Sequence, residues 1–185
     1  MKESSQALIK IAVVGPESTG KSTMAKYLAE KLHTLYVPEY ARYYCQHLNK
    51  NYTLEDEVNM FYGQMALEDT IVQNIKSPVL ICDTTILTIK IWCDRLFGFT
   101  PDFVREEIKK RKYDLYLLMD IDLPWEDDPL RDFPHEREHF LKVWKQEIHN
   151  LNGNYILISG QGEERLKAGL EACKKIIAST SGNIY

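Results

Sequence analysis

The feature that most constrains the fold is a glycine-rich loop lying between an apolar run and an amphipathic run. The apolar run is Ile9–Val14, whose β-branched residues are typical of a buried strand. The amphipathic run is Lys21–Leu32, where apolar residues recur at a spacing of four, as on one face of a helix. The loop fits the pattern G-x-x-x-x-G-K-[ST] and reads Gly15-Pro16-Glu17-Ser18-Thr19-Gly20-Lys21-Ser22.

This strand, loop and helix together predict a P-loop that binds ATP with Mg²⁺. The glycines let the backbone wrap closely, so that N–H groups at a helix N-terminus point at the phosphates. Lys21 is expected to bridge the β- and γ-phosphates, and the Ser22 hydroxyl to ligate Mg²⁺. We expect the nucleotide site to comprise Gly15–Ser22 and the adjoining Thr23. An incidental glycine-rich turn is the alternative, but it does not explain the strand before the loop and the helix after it.

The rest of the chain repeats this alternation, which is typical of β-α units around a parallel sheet. Four further strands are predicted, at Leu35–Val37, Val79–Cys82, Leu115–Met119 and Tyr155–Ile158. Helices are predicted at about 40–48, 53–76, 84–97, 101–112 and 162–178, and Thr53 with Asp56 forms a capping box. We therefore expect an α/β fold of the P-loop NTPase class, with a five-stranded parallel sheet flanked by helices in one domain over residues 1–185.

Charge and composition exclude several classes of protein. The formal net charge is −4, so no overall field draws the chain to nucleic acid. The basic run Lys109–Lys112 lies where a helix ends, and we prefer a helix-dipole role for it to a nucleic-acid patch. The four cysteines are scattered, and no apolar run is long enough to cross a bilayer. Because Met1–Gln6 lacks a signal-peptide pattern, we expect a soluble, cytoplasmic protein without nucleic-acid or membrane partners.

Two carboxylates at predicted strand ends favour a kinase among the P-loop classes. A switch GTPase usually carries N-K-x-D after a late strand, which residues 49–52 do not match, and a motor ATPase is normally longer. Glu39 follows the second strand and Asp83 the third, so both belong to the edge where parallel strands surround a ligand. One is expected to deprotonate an acceptor hydroxyl while the other holds Mg²⁺, and which does which stays open. Ordinary helix-start roles are the alternatives for both.

The polar, proline-broken stretch after the fourth strand is predicted to be a lid over ATP. It spans about residues 122–138 and carries Arg131 and Arg137, whose planar guanidinium groups suit the transferring phosphoryl group. Solvated salt bridges among Asp127, Asp128 and these arginines are the alternative.

The lid also contains a match to the zinc-protease pattern H-E-x-x-H. The match runs from His135 to His139. Its neighbours are nearly all charged, it follows Pro134, and no third ligand is evident downstream. We interpret the segment as the start of a lid helix.

With these residues assembled, the chain resembles the ribosylnicotinamide (nicotinamide riboside) kinase domain of bacterial NadR-type proteins. The matching stretches occur in family order: the P-loop octapeptide, Glu39-Tyr40 with Arg42, Gln64–Leu67, Asp83-Thr84, and Trp125 with Asp127-Asp128 and Arg131. The resemblance implies a nucleoside-kinase-like fold that phosphorylates nicotinamide riboside to nicotinamide mononucleotide with ATP. It makes Glu39 and Asp83 contacts of ribose or Mg²⁺. The adenylyltransferase and DNA-binding domains of NadR proteins are not expected, because the first strand begins within ten residues of the N-terminus.

The chain departs from the family it resembles at Pro38, where the family pattern has a tryptophan suited to stacking on the pyridine ring. Nearby aromatic residues, Phe61 among them, are alternatives for stacking. The residues expected to contact the acceptor are Glu39, Tyr40, Arg42, Tyr43, Gln64, Asp83 and Trp92. A different nucleoside or a monophosphate as acceptor remains an alternative, as does an ATP-binding regulatory module. Sequence leaves the oligomeric state open.

Overall fold

The fold is built on a parallel sheet whose strands are short and largely buried. The computed structural model describes residues 7–46, 48 and 53–181. The strands are β1 (Ile9–Val14), β2 (Tyr36–Val37), β3 (Val79–Asp83), β4 (Leu115–Met119) and β5 (Tyr155–Ile158). They lie in the order β2-β3-β1-β4-β5, and every pair is parallel. The five-stranded parallel sheet predicted from sequence is therefore confirmed.

Helices cover both faces of this sheet. They are α1 (Lys21–Lys31), α2 (Tyr40–Cys45), α3 (Leu54–Asn74), α4 (Leu87–Phe97), α5 (Asp102–Lys110), α6 (Arg137–Asn150) and α7 (Gly162–Ser181). Side chains alternate across β1: Ala12 and Val14 pack with α3 to α6, whereas Ile11 and Val13 pack with α1 and α7. This alternation follows from the two-residue period of a strand and gives the molecule two cores.

Local sequence signals account for several helix starts. The Thr53 side chain accepts a hydrogen bond from the Asp56 N–H at 3.2 Å, and the Asp56 carboxylate accepts one from the Thr53 N–H at 2.8 Å. The predicted capping box is thus present and fixes the first turn of α3. At α1 the residue before the helix is Gly20, whose φ of 77° lies in the left-handed region.

Some helix bounds differ from the prediction. Helix α4 begins at Leu87 rather than near residue 84, because Thr84 has φ 67°, which an α-helix cannot contain. Helix α7 continues to Ser181 rather than 178, and α2 ends at Cys45 rather than 48. Two sequence arguments concern residues outside the described part of the chain. They are the lack of a signal-peptide pattern in residues 1–6 and the mismatch of residues 49–52 to N-K-x-D.

Two further observations concern composition. The four cysteines, Cys45, Cys82, Cys93 and Cys173, are buried free thiols. Among the described helices, none combines the length and the apolar character that crossing a membrane requires.

Candidate active site

A cavity of about 680 Å³ opens where the strands end, and it brings most of the predicted site residues together. The predicted residues in its wall are Glu17, Ser18, Thr19, Gly20, Lys21, Ser22, Thr23, Glu39, Arg42, Tyr43, Asp83, Trp92 and Arg131. On the β4–β5 side the wall continues through Leu123, Gly162 and Arg165, and on the β2–β3 side through residues of α2, α3 and α4. The cavity therefore has two ends, separated by the loop after β1.

The loop after β1 has the backbone that its sequence predicts. A Cβ on Gly15, which has φ 136°, would lie 2.8 Å from the Met119 carbonyl oxygen, so only glycine fits there. The Thr19 hydroxyl and the Lys21 ammonium each donate to the Pro16 carbonyl at 2.8 Å. Because Gly20 ends the loop at the first turn of α1, the positive end of the helix dipole faces the cavity.

Asp83 ends β3 beside this loop and carries an incompletely satisfied carboxylate. The Ser22 hydroxyl lies near its side chain, while its Oδ1 is buried without a partner among the described residues. Burial and the neighbouring Glu39 raise its pKa to about 6, although Ser22, Lys21 and Arg42 oppose the shift. Helix α4 begins four residues later, so Asp83 is not its N-cap. A hydroxyl and an orphan carboxylate oxygen fit Mg²⁺, which prefers oxygen ligands.

The residue after Asp83 is strained. Thr84 is buried with φ 67°, a conformation that costs a β-branched residue on the order of 1–3 kcal/mol. Its N–H donates to the Val13 carbonyl at 2.9 Å. That hydrogen bond ties the end of β3 to β1 and fixes the backbone on which Asp83 sits.

Glu39 and Arg42 belong to α2, at the neighbouring strand end. Glu39 is the N-cap residue of α2, but its side chain makes no capping hydrogen bond. The side chain is half-buried in the cavity wall, and it is close enough to Asp83 to raise the pKa of that carboxyl group. Arg42 donates to Asp128 at 3.0 Å, and this hydrogen bond raises the pKa of the guanidinium.

Glu17 connects the P-loop to the lid. Its Oε2 accepts a hydrogen bond from the Asp132 N–H at 2.8 Å. Desolvation is the main reason that its pKa rises to about 7, and the Asp132 N–H and Lys21 oppose the rise. The Glu17 side chain thus holds the lid, and with this pKa both its protonated and its ionised form are populated at neutral pH.

The predicted lid, residues 122–138, is irregular up to α6 and lies against the P-loop. The Glu126 N–H donates to the Ser18 Oγ at 2.8 Å, and Arg131 donates to the same oxygen at 3.4 Å. Arg137 is the first residue of α6; it donates to the Leu123 carbonyl at 2.8 Å and to the Ser18 carbonyl at 3.4 Å. Arg131 lines the cavity, whereas Arg137 does not and instead ties the lid to the P-loop.

Arg165 is a site residue that the sequence analysis missed. It lies in α7, is 3% exposed, and donates to the carbonyls of Thr19 at 3.1 Å and Asp120 at 2.8 Å. It also pairs with the Asp122 carboxylate. One guanidinium therefore fastens the P-loop to the start of the lid. The only sequence signal was an arginine in the first turn of a predicted helix, which is not distinctive.

Two predicted acceptor residues, and one residue named as an alternative for stacking, lie elsewhere. The Gln64 side chain is buried outside the cavity wall, accepting from the Tyr40 N–H at 2.8 Å and donating to the Pro38 carbonyl at 3.2 Å. Tyr40 packs over Gly63, also outside the wall, and Phe61 is in the core. Gln64 and Tyr40 are thus placed to hold the turn that carries Glu39. Trp92 and Tyr43 line the cavity.

The H-E-x-x-H match does not form the geometry of a zinc site. Helix α6 begins at Arg137, so His135 precedes it and does not share a helix face with His139. In the described part of the chain, no three histidine, cysteine or acidic side chains cluster as metal ligands.

Comparison with known proteins agrees with this architecture. The chain is 26% identical over 183 residues to the trifunctional NAD biosynthesis/regulator protein NadR of Escherichia coli (strain K12), covering 93% of this chain and 42% of that protein. The chain thus spans less than half the length of this curated relative. The resemblance to NadR-type proteins noted in the sequence is confirmed.

Solved structures show the same fold. A NadR protein in complex with NAD and AMP-PNP superposes with a TM-score of 0.75 at 19% identity, covering 91% of this chain and 49% of that one. Deoxyadenosine kinase from M. mycoides superposes with a TM-score of 0.60 at 14% identity, covering 92% and 100%. The sequence profile of the AAA domain family matches residues 10–165, and the chain therefore belongs to that family of P-loop proteins.

Proposed function

We propose that the chain is an ATP- and Mg²⁺-dependent nucleoside kinase whose acceptor is nicotinamide riboside, converted to nicotinamide mononucleotide. The observation that carries the proposal is the shared cavity, in which the P-loop lysine and the carboxylates of Glu39 and Asp83 face one space. A phosphate cradle beside two strand-end carboxylates is what phosphoryl transfer to a hydroxyl requires. The likeness to NadR proteins supports nicotinamide riboside as the acceptor.

The two ends of the cavity divide the substrates between them. We assign ATP to the β4–β5 end, where the lid, Gly162 and Arg165 surround the P-loop. We assign the nucleoside to the β2–β3 end, which α2, α3 and α4 enclose. The reacting atoms then meet beside Lys21, where the acceptor oxygen bonds to the γ-phosphorus and the bond from that phosphorus to ADP breaks.

The surroundings of the two carboxylates suggest separate roles. Asp83 lies beside the Ser22 hydroxyl and has an orphan oxygen, so we assign it to Mg²⁺, which would neutralise charge on the phosphates when bound. Glu39 has no capping partner and is the group we assign to take the acceptor hydroxyl's proton. Arg42, held by Asp128, borders the same space and is assigned to orient the acceptor.

The test is ADP release from ATP·Mg²⁺ with nicotinamide riboside, with a panel of other nucleosides and monophosphates, and without acceptor. Strong stimulation by nicotinamide riboside is expected. Stimulation by a different nucleoside would support the assignment as a kinase but contradict nicotinamide riboside as its acceptor. A flat panel with retained ATP binding would contradict the proposal and favour an ATP-binding regulatory module.

The Lys21→Ala variant tests whether the P-loop carries the transfer. We expect its turnover to fall by about 100-fold or more, because the charge that stabilises the transferring phosphoryl group is removed. Lys31→Ala is a matched control in the same helix, since Lys31 is exposed in the last turn and does not line the cavity. Equal activity of the two variants would argue against the assigned role of Lys21.

A further inference from the structure

The wall of the cavity contains a buried carboxylate that nothing in the preceding sections uses. Glu57 lies in the first turn of α3, is 0% exposed, and lines the cavity on the β2–β3 side. Neither of its two carboxylate oxygens has a hydrogen-bond partner among the described residues. Burying an unpaired carboxyl group costs free energy, so its presence calls for an explanation.

Structural roles do not explain this burial. An acid in the first turn is favoured by the helix dipole, but an exposed position such as that of Glu55 would gain the same benefit. A buried glutamate that supports the fold has partners, as Glu68 does in the same helix. Glu68 pairs with Lys10 and accepts from the Tyr113 hydroxyl at 2.7 Å. Glu57 has the burial of Glu68 without its partners.

The surroundings of Glu57 are those of a pocket for a flat ring. The same stretch of wall carries Met60, Ile89 and Trp92, which supply an apolar surface. Burial is the main reason that the pKa of the Cys93 thiol in α4 is raised, and the nearby Glu57 carboxylate adds to the rise. An apolar wall with one convergent polar group is the usual construction of a site that fixes a ligand's orientation.

We propose that Glu57 recognises the base of the acceptor, by hydrogen bonding to a primary carboxamide on an aromatic ring. This inference rests on the proposed function, because it names the group that the nucleoside presents to the β2–β3 end. A ring that lies against Trp92 and Met60 in the cavity wall can present its substituent to Glu57 at the start of α3. Glu57 thereby becomes a specificity residue, distinct from the carboxylates at the strand ends.

A carboxyl group and a primary carboxamide are complementary. The protonated acid donates one O–H and accepts through its other oxygen, while the carboxamide accepts and donates in turn. Burial, and to a lesser degree Asp56, raises the pKa of Glu57 to about 8, so the protonated form is available at neutral pH. A carboxylate in place of the carboxamide has no N–H to donate to the second oxygen of Glu57, so one of the two hydrogen bonds is lost and two acceptor oxygens face each other.

The experiment compares nicotinamide riboside with nicotinic acid riboside in the wild type, Glu57→Gln, Glu57→Leu and Glu68→Gln. Each protein is assayed for kcat/KM with each acceptor, for the KM of ATP, and for Tm without ligand. Glutamine keeps one donor and one acceptor in the same shape, whereas leucine keeps only the volume. Glu68→Gln is the matched control, because Glu68 is equally buried on the same helix but is partnered.

For Glu57→Leu we expect kcat/KM with nicotinamide riboside to fall by about 10- to 100-fold, because the buried carboxamide loses its partners. The KM of ATP should stay unchanged, and Tm should stay equal or rise, because an unpaired buried acid has been removed. Glu57→Gln should retain most of the activity with nicotinamide riboside. Glu68→Gln should lower Tm without changing the preference between the two acceptors.

Two results would overturn the inference. The first is a Glu57→Leu variant with wild-type kcat/KM for nicotinamide riboside. The second is a variant whose Tm falls and whose ATP and acceptor kinetics weaken together, since that pattern belongs to a structural residue. In both cases the proposed kinase activity would still stand if nicotinamide riboside stimulates the wild type. A wild type that no nucleoside stimulates would instead contradict the proposed function, and the inference with it.

Discussion

At the residue scale, the two strand-end carboxylates differ in what they touch. Asp83 is 3% exposed and lies beside Ser22, whereas Glu39 is half-buried at the N-cap of α2 and its side chain makes no capping hydrogen bond. Two neighbouring acids in different surroundings can take different roles in one reaction. The contacts therefore allow the acid that serves Mg²⁺ to be separated from the acid that serves the acceptor.

Substituting each carboxylate separately tests this division. In Asp83→Asn we expect turnover to fall by about 100-fold or more and the Mg²⁺ concentration for half-maximal activity to rise, because an oxygen ligand becomes a neutral amide. In Glu39→Gln we expect a fall of similar size with an unchanged Mg²⁺ requirement, because only proton removal is lost. Mg²⁺ titrations of steady-state turnover make the comparison. Interchanged Mg²⁺ responses would reverse the assignment.

The sequence revealed those site residues that belong to a pattern. The P-loop octapeptide matches a known sequence pattern, and Glu39 and Asp83 each follow an apolar run that predicts a strand. Glu57 was missed because it is buried without a hydrogen-bond partner, and Arg165 because its partners are distant in the sequence. The spacing of residues in a sequence reports neither property. The Thr84 backbone was missed for a related reason, since φ 67° is unusual for threonine. Gln64 was expected to touch the acceptor, but its amide is occupied by backbone groups of α2.

At the element scale, the strands were predicted more accurately than the loops. Three of the five strands have the predicted bounds, because a short apolar run between turn signals has few alternatives. Helix ends shifted by a few residues where no cap or proline fixes them, as at Ser181. The lid was recognisable as an irregular segment, but its attachment to Ser18 and Glu17 depends on contacts across more than 100 residues of sequence.

The attachment of the lid gives a prediction about its two arginines. We expect Arg131→Ala and Arg137→Ala each to lower kcat by about 10- to 1,000-fold, because both join the lid to Ser18 beside the phosphate site. Arg95→Ala is the control, since Arg95 pairs with Glu136 at the end of the lid and makes no contact to the P-loop. Steady-state turnover at saturating ATP measures the effect. If Arg95→Ala loses as much activity, the losses in the other two variants would be due to general loosening of the lid and not to the contacts with Ser18.

Helix α7 is predicted to support the P-loop through Arg165. Replacing Arg165 with alanine leaves the Thr19 and Asp120 carbonyls and the Asp122 carboxylate without their donor. We expect the free energy of unfolding to fall by about 3 kcal/mol and ATP binding to weaken, because the partners of a buried charge stay desolvated. Denaturant unfolding and ATP titration measure both effects. Lys167→Ala, on the exposed face of the same helix, should leave both nearly unchanged.

At the scale of the whole molecule, the cavity concentrates acids whose protonated form the fold favours. The pKa values of Asp83, Glu17 and Glu57 are raised to about 6, 7 and 8, in each case chiefly by burial. All three lie in the wall of one cavity, at the edge of a sheet whose two cores satisfy the ordinary demands of folding. Free energy gained in those cores offsets the cost of a site built from incompletely paired acids.

This concentration makes the stability of the ligand-free protein depend on pH. A carboxyl group whose folded pKa is raised contributes most below its unfolded pKa of 4.5 and loses that contribution as the pH rises to the folded value, about 8 for Glu57. We expect Glu57→Gln, which cannot ionise, to become progressively more stable than the wild type between about pH 5 and 8, by up to about 1.4 kcal/mol per pH unit. Denaturant unfolding at several pH values gives the difference.

The control for this pH series is Glu163→Gln in α7. Its hydrogen bond to Lys167 lowers the pKa of Glu163, so its contribution is complete above pH 4.5, and the variant should differ from the wild type by a constant amount between pH 5 and 8. A constant difference for Glu57→Gln as well would mean that Glu57 is ionised throughout this range. That result would contradict the protonated form assigned to Glu57, which would then contact the acceptor as a carboxylate that accepts from the carboxamide N–H.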